Sequence, residues 1–201
     1  MVLSIGQGSG DFAETSARIQ AFHIGFRNSV GVLAPDAFTQ ANPPVVTTNV
    51  SSALAGISAV GVLGGTVAFT RPDAGNGFIG GPVTGTADDT LLRPLGFFIN
   101  DAIGNAFENT PGVASGRGPY FSGQGCFGLS LWETEDLAGG GALTWSVGNK
   151  VFASRNGLAT NVADANNTYE MQAGAAAPTL LGVVKIAPDA DNSLLVIDLR
   201  V

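Results

Sequence analysis

The stretch Lys150-Val-Phe-Ala-Ser154-Arg155-Asn156-Gly157-Leu158-Ala-Thr-Asn-Val162 decides the fold class. A strand-like run, Lys150–Ser154, leads into Asn156-Gly157, and a second run, Leu158–Val162, leaves it. Asn and Gly tolerate positive φ, so the dipeptide predicts a type I′ turn joining two antiparallel strands. Period-two alternation, the mark of a strand with two distinct faces, recurs on both sides of this hairpin. Upstream, Leu143, Trp145 and Val147 alternate with Thr144 and Ser146, which predicts Trp145 in the core. Phe127, Leu129 and Leu131 alternate with Gly128, Ser130 and Trp132, and Leu95, Phe97 and Ile99 repeat the device. Phe22, Ile24 and Phe26 share one face, with His23, Gly25 and Arg27 on the other. Downstream, Leu195, Ile197, Leu199 and Val201 line one side of a terminal strand whose other side ends in Asp198 and Arg200.

Helical signals are few. Asp11 and Glu14 resemble a capping box and predict a short helix over Thr15–Gln20. A short helix or turn is expected near Ser51–Ile57, followed by a buried strand around Ala59–Phe69. Asn76-Gly77 reads as a turn and Gly80-Gly81-Pro82 as irregular loop. Many short strands separated by Gly, Pro and Asn turns predict an all-β sandwich or barrel with at most one or two short helices. The expected organisation is an N-terminal arm over 1–11 and a single β-rich domain over 12–201, with any subdomain boundary near 70–95. Val32-Leu-Ala-Pro-Asp36-Ala and Lys185-Ile-Ala-Pro-Asp189-Ala echo each other as the same strand-to-turn chemistry used twice.

Composition narrows the function classes. The chain has 201 residues, of which 45% are hydrophobic and only 12% charged, about half the ~25% of an average soluble domain. Glycine, at 29 residues, is roughly twice its usual share. A formal net charge of −7 offers no footprint for nucleic acid and is repelled by anionic membrane surfaces. One cysteine, Cys126, excludes an intrachain disulfide, and with His23 as the single histidine no zinc site of the usual Cys/His kind can form. The first ten residues carry neither a basic n-region nor an apolar h-region, so no secretory signal is expected. The uncharged run Ala53–Phe69 is apolar, but it is shorter than the ~20 residues of a span and is broken by Gly56, Gly61, Gly64 and Gly65. So little charge implies a surface shared with protein neighbours.

No motif carries catalysis on its own. Any Ser-His-Asp or Cys-His scheme would need His23 as base, and the chain has no Gly-x-Ser-x-Gly elbow. Gly123-Gln-Gly125-Cys-Phe-Gly128 matches the dinucleotide spacing, but a strand-like run follows it where a helix N-terminus is required. Glu133, Glu135 and Asp136 cluster after Trp132 and are expected on a solvated loop, although two carboxylates are all a glycosidase needs. Asp164, Asn166, Thr168 and Glu170 alternate like calcium ligands, yet Tyr169 stands where an EF-hand loop needs glycine, so no metal or cofactor is expected. Trp132 lies opposite Phe127, Leu129 and Leu131. It is a ligand platform, an interface anchor, or part of a strand buried on both faces.

Three stretches carry a family resemblance. Gly96-Phe-Phe-Ile-Asn-Asp-Ala-Ile-Gly-Asn-Ala-Phe-Glu-Asn109 with Val113-Ala-Ser-Gly-Arg117 resembles a segment of tailed-bacteriophage head proteins. Leu143-Thr-Trp-Ser-Val-Gly-Asn-Lys-Val-Phe-Ala-Ser-Arg-Asn-Gly-Leu-Ala-Thr160 resembles the hairpin of capsid decoration, or cement, proteins, with Asn149 where Asp is more usual. Leu181–Asp191 running into Leu194–Val201 is similar to their C-terminal strands. The likeness covers mainly Gly96–Val201. It implies a non-enzymatic virion protein, synthesised in the host cytoplasm, that binds the capsid exterior as a homodimer or homotrimer and clamps neighbouring major capsid proteins. The expected partner contacts are Val2, Leu3 and Ile5 in the arm, and Trp132. A carbohydrate-binding β-module using Trp132 and Tyr120 is the alternative; a glycosidase using Glu133 and Glu135 and a tail or baseplate protein stand behind it.

Overall fold

Strand pairing begins at the hairpin and spreads through ten strands. The computed structural model describes residues 19–21, 26–33, 64–72, 77–81, 92–99, 117–172 and 176–201. The strands are β1 (Ile19–Ala21), β2 (Phe26–Leu33), β3 (Val67–Thr70), β4 (Phe78–Gly80), β5 (Pro94–Phe98) and β6 (Arg117–Leu129), then β7 (Glu135–Asp136), β8 (Gly141–Ala142), β9 (Lys150–Ala153), β10 (Ala159–Thr160), β11 (Gly182–Ile186) and β12 (Leu195–Arg200). One helical turn, α1 (Tyr169–Gln172), interrupts them. The fold is all-β, as expected.

Five strands close on themselves. β6 pairs with β2, β2 with β4, β4 with β3, β3 with β5, and β5 again with β6, which completes a barrel. The β2–β4 contact is parallel and the others are antiparallel. A second set, β10-β9-β11-β12, continues from β6, and β1 pairs with its C-terminal end. The 13-residue β6 therefore belongs to both halves. β2 and β5 flank it near Tyr120–Phe121, and β1 and β12 flank it near Phe127–Leu129.

One buried cluster joins the two halves. Phe97 and Phe121 of the barrel meet Phe127 of β6, with ring centroids 5.4 Å and 5.7 Å apart, and Val151, Val184 and Ile197 of the flanking strands belong to the same cluster. A smaller cluster of Ala68, Ile79 and Phe98 lies on the opposite faces of β3 and β5, so both strands are buried on both sides. Each fully buried Phe or Leu contributes roughly 1.5–3 kcal/mol by leaving water.

Several expectations change. Leu95 does not share a face with Phe97. Ala68 pairs with Gly96 but Phe69 with Pro94, so Leu95 is the extra residue of a bulge and packs with Phe98 in the smaller cluster. Ile19 and Gln20 are strand, paired with Leu129 and Gly128, so the helix expected over Thr15–Gln20 does not include them; 11–18 lie outside the described residues. Gly80 is not loop but pairs with Phe69. Leu143–Val147 forms no strand: the chain turns at Gly148 (φ +87°) and leaves Val147 69% exposed, while Trp145 sits half-buried against the main cluster. The expected hairpin forms, with Ala153 facing Ala159 and Phe152 facing Thr160. Its turn is not type I′, because Gly157 alone takes positive φ (+79°) and Asn156 does not. Gly157 N–H donates to Ser154 O (3.0 Å) and Ser154 N–H to Leu158 O (2.8 Å), the three-residue loop that ends in a left-handed glycine. Of the strand expected around Ala59–Phe69, the described part is β3, beginning at Val67; 59–63 and the helix or turn expected near Ser51–Ile57 lie outside the described residues. His23 and the Asn100–Asn105 turn lie outside the described residues.

Candidate functional site

The chain leaves β6 at Leu129 and keeps its alternation for four more residues. Leu131 is buried, and so is Glu133, fully out of solvent. Of the carboxylate cluster expected on a solvated loop, only Glu135 is solvated, and it lies with the half-buried Asp136 in β7. Glu133 is in phase with Phe127, Leu129 and Leu131, and that period-two continuation was the signal in the sequence for its burial.

Three segments converge on Glu133. Its N–H donates to Ala159 O (2.8 Å), its carbonyl accepts the Trp145 Nε1–H (3.1 Å), and its Oε1 accepts the Ser154 hydroxyl (2.6 Å). Ser154 Oγ in turn accepts Asn156 N–H (3.1 Å) and Leu158 N–H (3.0 Å). With both lone pairs taken, the hydroxyl proton points at Glu133. Glu133 Oε2 is buried and has no hydrogen-bond partner. Burial pushes the Glu133 carboxyl above its ordinary value, and the neighbouring Ser154 and Asn156 side chains oppose the shift.

Trp132 pairs with Ala159 in a parallel bridge and lies half-buried against the main cluster. Tyr120 packs against the smaller cluster instead, so the two aromatics named for a glycan platform belong to different packing groups. Val2, Leu3 and Ile5 lie outside the described residues.

The remaining carboxylates are structural ties. Asp164 Oδ1 accepts the backbone N–H groups of Asn166 and Asn167 and the Asn167 side-chain amide, each at 2.9 Å. The Asn167 amide and then those backbone N–H groups hold the Asp164 carboxyl below the ordinary value. Asn167 is fully buried; it also donates to Asp136 Oδ1 (2.8 Å) and accepts Leu137 N–H (2.9 Å), which pins the β7–β8 hairpin to the 164–168 loop. Glu170 accepts the hydroxyl and the N–H of Thr179, and Arg93 approaches it at 3.8 Å. Asp198 pairs with Lys185 (3.6 Å) and Arg200 (3.3 Å). Opposite Asp198 in the ladder is Cys126, whose thiol is pushed up by burial and then by the Asp198 charge. Among the described residues, no three His, Cys, Asp or Glu side chains are grouped to hold a metal ion. The Gly123–Gly128 motif lies wholly inside β6.

The surface around the hairpin is the other notable feature. From Ala138 to Ala142 every residue is exposed, and Val147 and Ile186 (49%) are large apolar side chains left open to solvent. Gly148 N–H donates to Val184 O (2.9 Å), which brings the Val147 turn beside β11. No family model, curated protein or solved structure matches this chain.

Proposed function

We propose that this chain is a non-enzymatic structural virion protein that binds the outer surface of a bacteriophage capsid and stabilises contacts between major capsid proteins. The observation that carries this reading is the Val147 turn. An aliphatic side chain 69% exposed stands within Leu143–Thr160, the stretch that resembles the decoration-protein hairpin. A hairpin whose base is anchored in the core and whose neighbouring turn offers Val147 to solvent is suited to pressing on a protein neighbour. The low charge of the chain fits the same use, because charged side chains are depleted at the centres of protein interfaces. The carbohydrate reading draws less support, since Trp132 and Tyr120 each pack against a hydrophobic cluster.

The test is co-sedimentation of the purified chain with DNA-free shells of a tailed-bacteriophage major capsid protein from the genome that encodes it, with Val147→Asp as the comparison. Saturable binding by the wild type, weakened at least tenfold in Val147→Asp, is the expected outcome. An absence of binding to shells, together with specific glycan-array signals, would replace the capsid reading with the carbohydrate one.

A further inference from the structure

We propose that Glu133 is an acid latch: uncharged, it holds the 154–158 loop and the Trp145 indole closed against the core, and its ionisation loosens both. The inference stands on the geometry of one residue and is independent of the capsid reading. Glu133 is fully buried, and one oxygen is satisfied by a single hydroxyl while the other has no partner. A neutral carboxyl tolerates that environment. A full charge with an unpartnered oxygen does not, and the direct relief is for the side chain to turn toward water.

That movement undoes a connected set of contacts. The Ser154 hydroxyl loses its acceptor while still taking N–H bonds from Asn156 and Leu158, which close the hairpin loop. The same residue's backbone holds Ala159 of β10 through its N–H and the Trp145 indole through its carbonyl. Displacing Glu133 therefore reaches three segments at once.

Among the described residues, the charged groups on the elements around it are few. The hairpin loop contributes Arg155, Glu133's own segment contributes Glu135 and Asp136, and β9 contributes Lys150 at its exposed start. β10 and the Leu143–Ser146 segment contribute none. Asp136 is tied to Asn167, and Asp164 lies beyond that same amide. The displaced titration of Glu133 has desolvation as its largest cause, with the neighbouring Ser154 and Asn156 side chains acting against it.

The test uses the full chain in solution. Trp132 adjoins Glu133 in sequence and Trp145 donates to it, so indole emission reports on the latch directly. Emission and the 13C shift of the Glu133 carboxyl are followed together from about pH 4 to about pH 9, a window that starts at the ordinary glutamate value. Both are expected to change with one midpoint above that value, with a red shift of the emission. In Glu133→Gln, which keeps an acceptor for Ser154 but cannot ionise, the emission transition disappears. Ser154→Ala removes a bond made only while the latch is closed and so moves the midpoint to lower pH, a result that does not require Glu133→Gln to fold. A carboxyl that titrates in the ordinary range overturns the latch. So does a transition that survives in Glu133→Gln, or the absence of any transition in the wild type.

Discussion

Replacing Gly96 with alanine tests how the barrel closes. Gly96 has φ +149°, in a region that is nearly exclusive to glycine, and it sits at the bulge of β5 where that strand meets β6. A Cβ added there would stand 2.8 Å from the carbonyl carbon of Phe121 and closer still to its oxygen. Comfortable carbon–carbon contact begins near 3.5 Å and the nearer oxygen sets the larger demand, so β5 would have to retreat by well over an ångström or change its backbone conformation. Phe97↔Phe121 and Phe98↔Tyr120 are the pairs that join these strands, and retreat loosens both. Backbone strain of roughly 1–3 kcal/mol adds to ladder bonds worth about 1 kcal/mol each and to weakened packing of Phe97 and Phe98. The expected loss is at least about 3 kcal/mol, a large part of a typical stability of 5–15 kcal/mol. The matched control is Gly139→Ala, also at positive φ (+84°) but with nothing within 4 Å of the added carbon, which isolates strain from collision. Urea unfolding followed by circular dichroism reads both variants. If Gly96→Ala costs no more than Gly139→Ala, the close approach of β5 to β6 does not constrain the fold and the reasoning fails. A Gly96→Ala chain that cannot fold while Gly139→Ala folds counts with the expected result.

Phe127→Ala removes the ring that both Phe97 and Phe121 touch, and an unfolding free energy lower by about 3–5 kcal/mol is expected in the same assay. Asp164 governs part of the acid limb. Its folded-state value lies below the ordinary one, so between the two the unfolded chain binds more protons and stability rises with pH. The contribution is complete above the ordinary aspartate value of about 3.9 and is lost as pH falls through the folded value. Urea midpoints from about pH 2.5 to about pH 6 should therefore fall less steeply on the acid side in Asp164→Asn than in the wild type.

Some of this fold was legible because short-range chemistry decides it. Asn156-Gly157 between two apolar runs could hardly be other than a hairpin, and Leu195, Ile197 and Leu199 line the core as their spacing requires. The turn type was not legible, because Asn156 can take either sign of φ and Ser154 settles the matter by capping the loop with its hydroxyl. Leu143, Trp145 and Val147 alternate as well as any strand in the chain, but among the described residues no strand pairs with them. A five-residue alternation specifies a strand only where a neighbour supplies the ladder. The first ten residues of β6, Arg117–Cys126, show the converse. With Pro119 and three glycines they show no strand alternation of their own, and pairing with β2, β5 and β12 overrides that composition. The parallel β2–β4 contact leaves no local mark, since it depends on where a crossover returns. At the site, the expectation of a solvated cluster weighed Glu133 by its charge, whereas its phase with Leu131 determined its place.

That phase has a further consequence for how the molecule responds to damage. β6 runs from the barrel closure at Phe121 through the shared core at Phe127 and Leu129, and the chain then continues through Leu131 to Glu133 without leaving the core. A lesion at Gly96 acts on the barrel end of this run, where the ladder closes the ring, and must propagate through the Phe121–Phe127 contact to the rest of the core. A change at Glu133 acts on the other end, where the attachments are one side-chain bond and two backbone bonds to separate segments. The barrel lesion should therefore lower global stability, with β6 and the hairpin unfolding together. The Glu133 change should alter hydrogen exchange at Asn156 and Leu158 while the β6 amides stay protected. Exchange measured at those two groups of amides, in Gly96→Ala and in wild type above and below the Glu133 transition, separates the two. Equal loss of protection at both groups on crossing the Glu133 transition would show that the latch is part of the global core and not a local device.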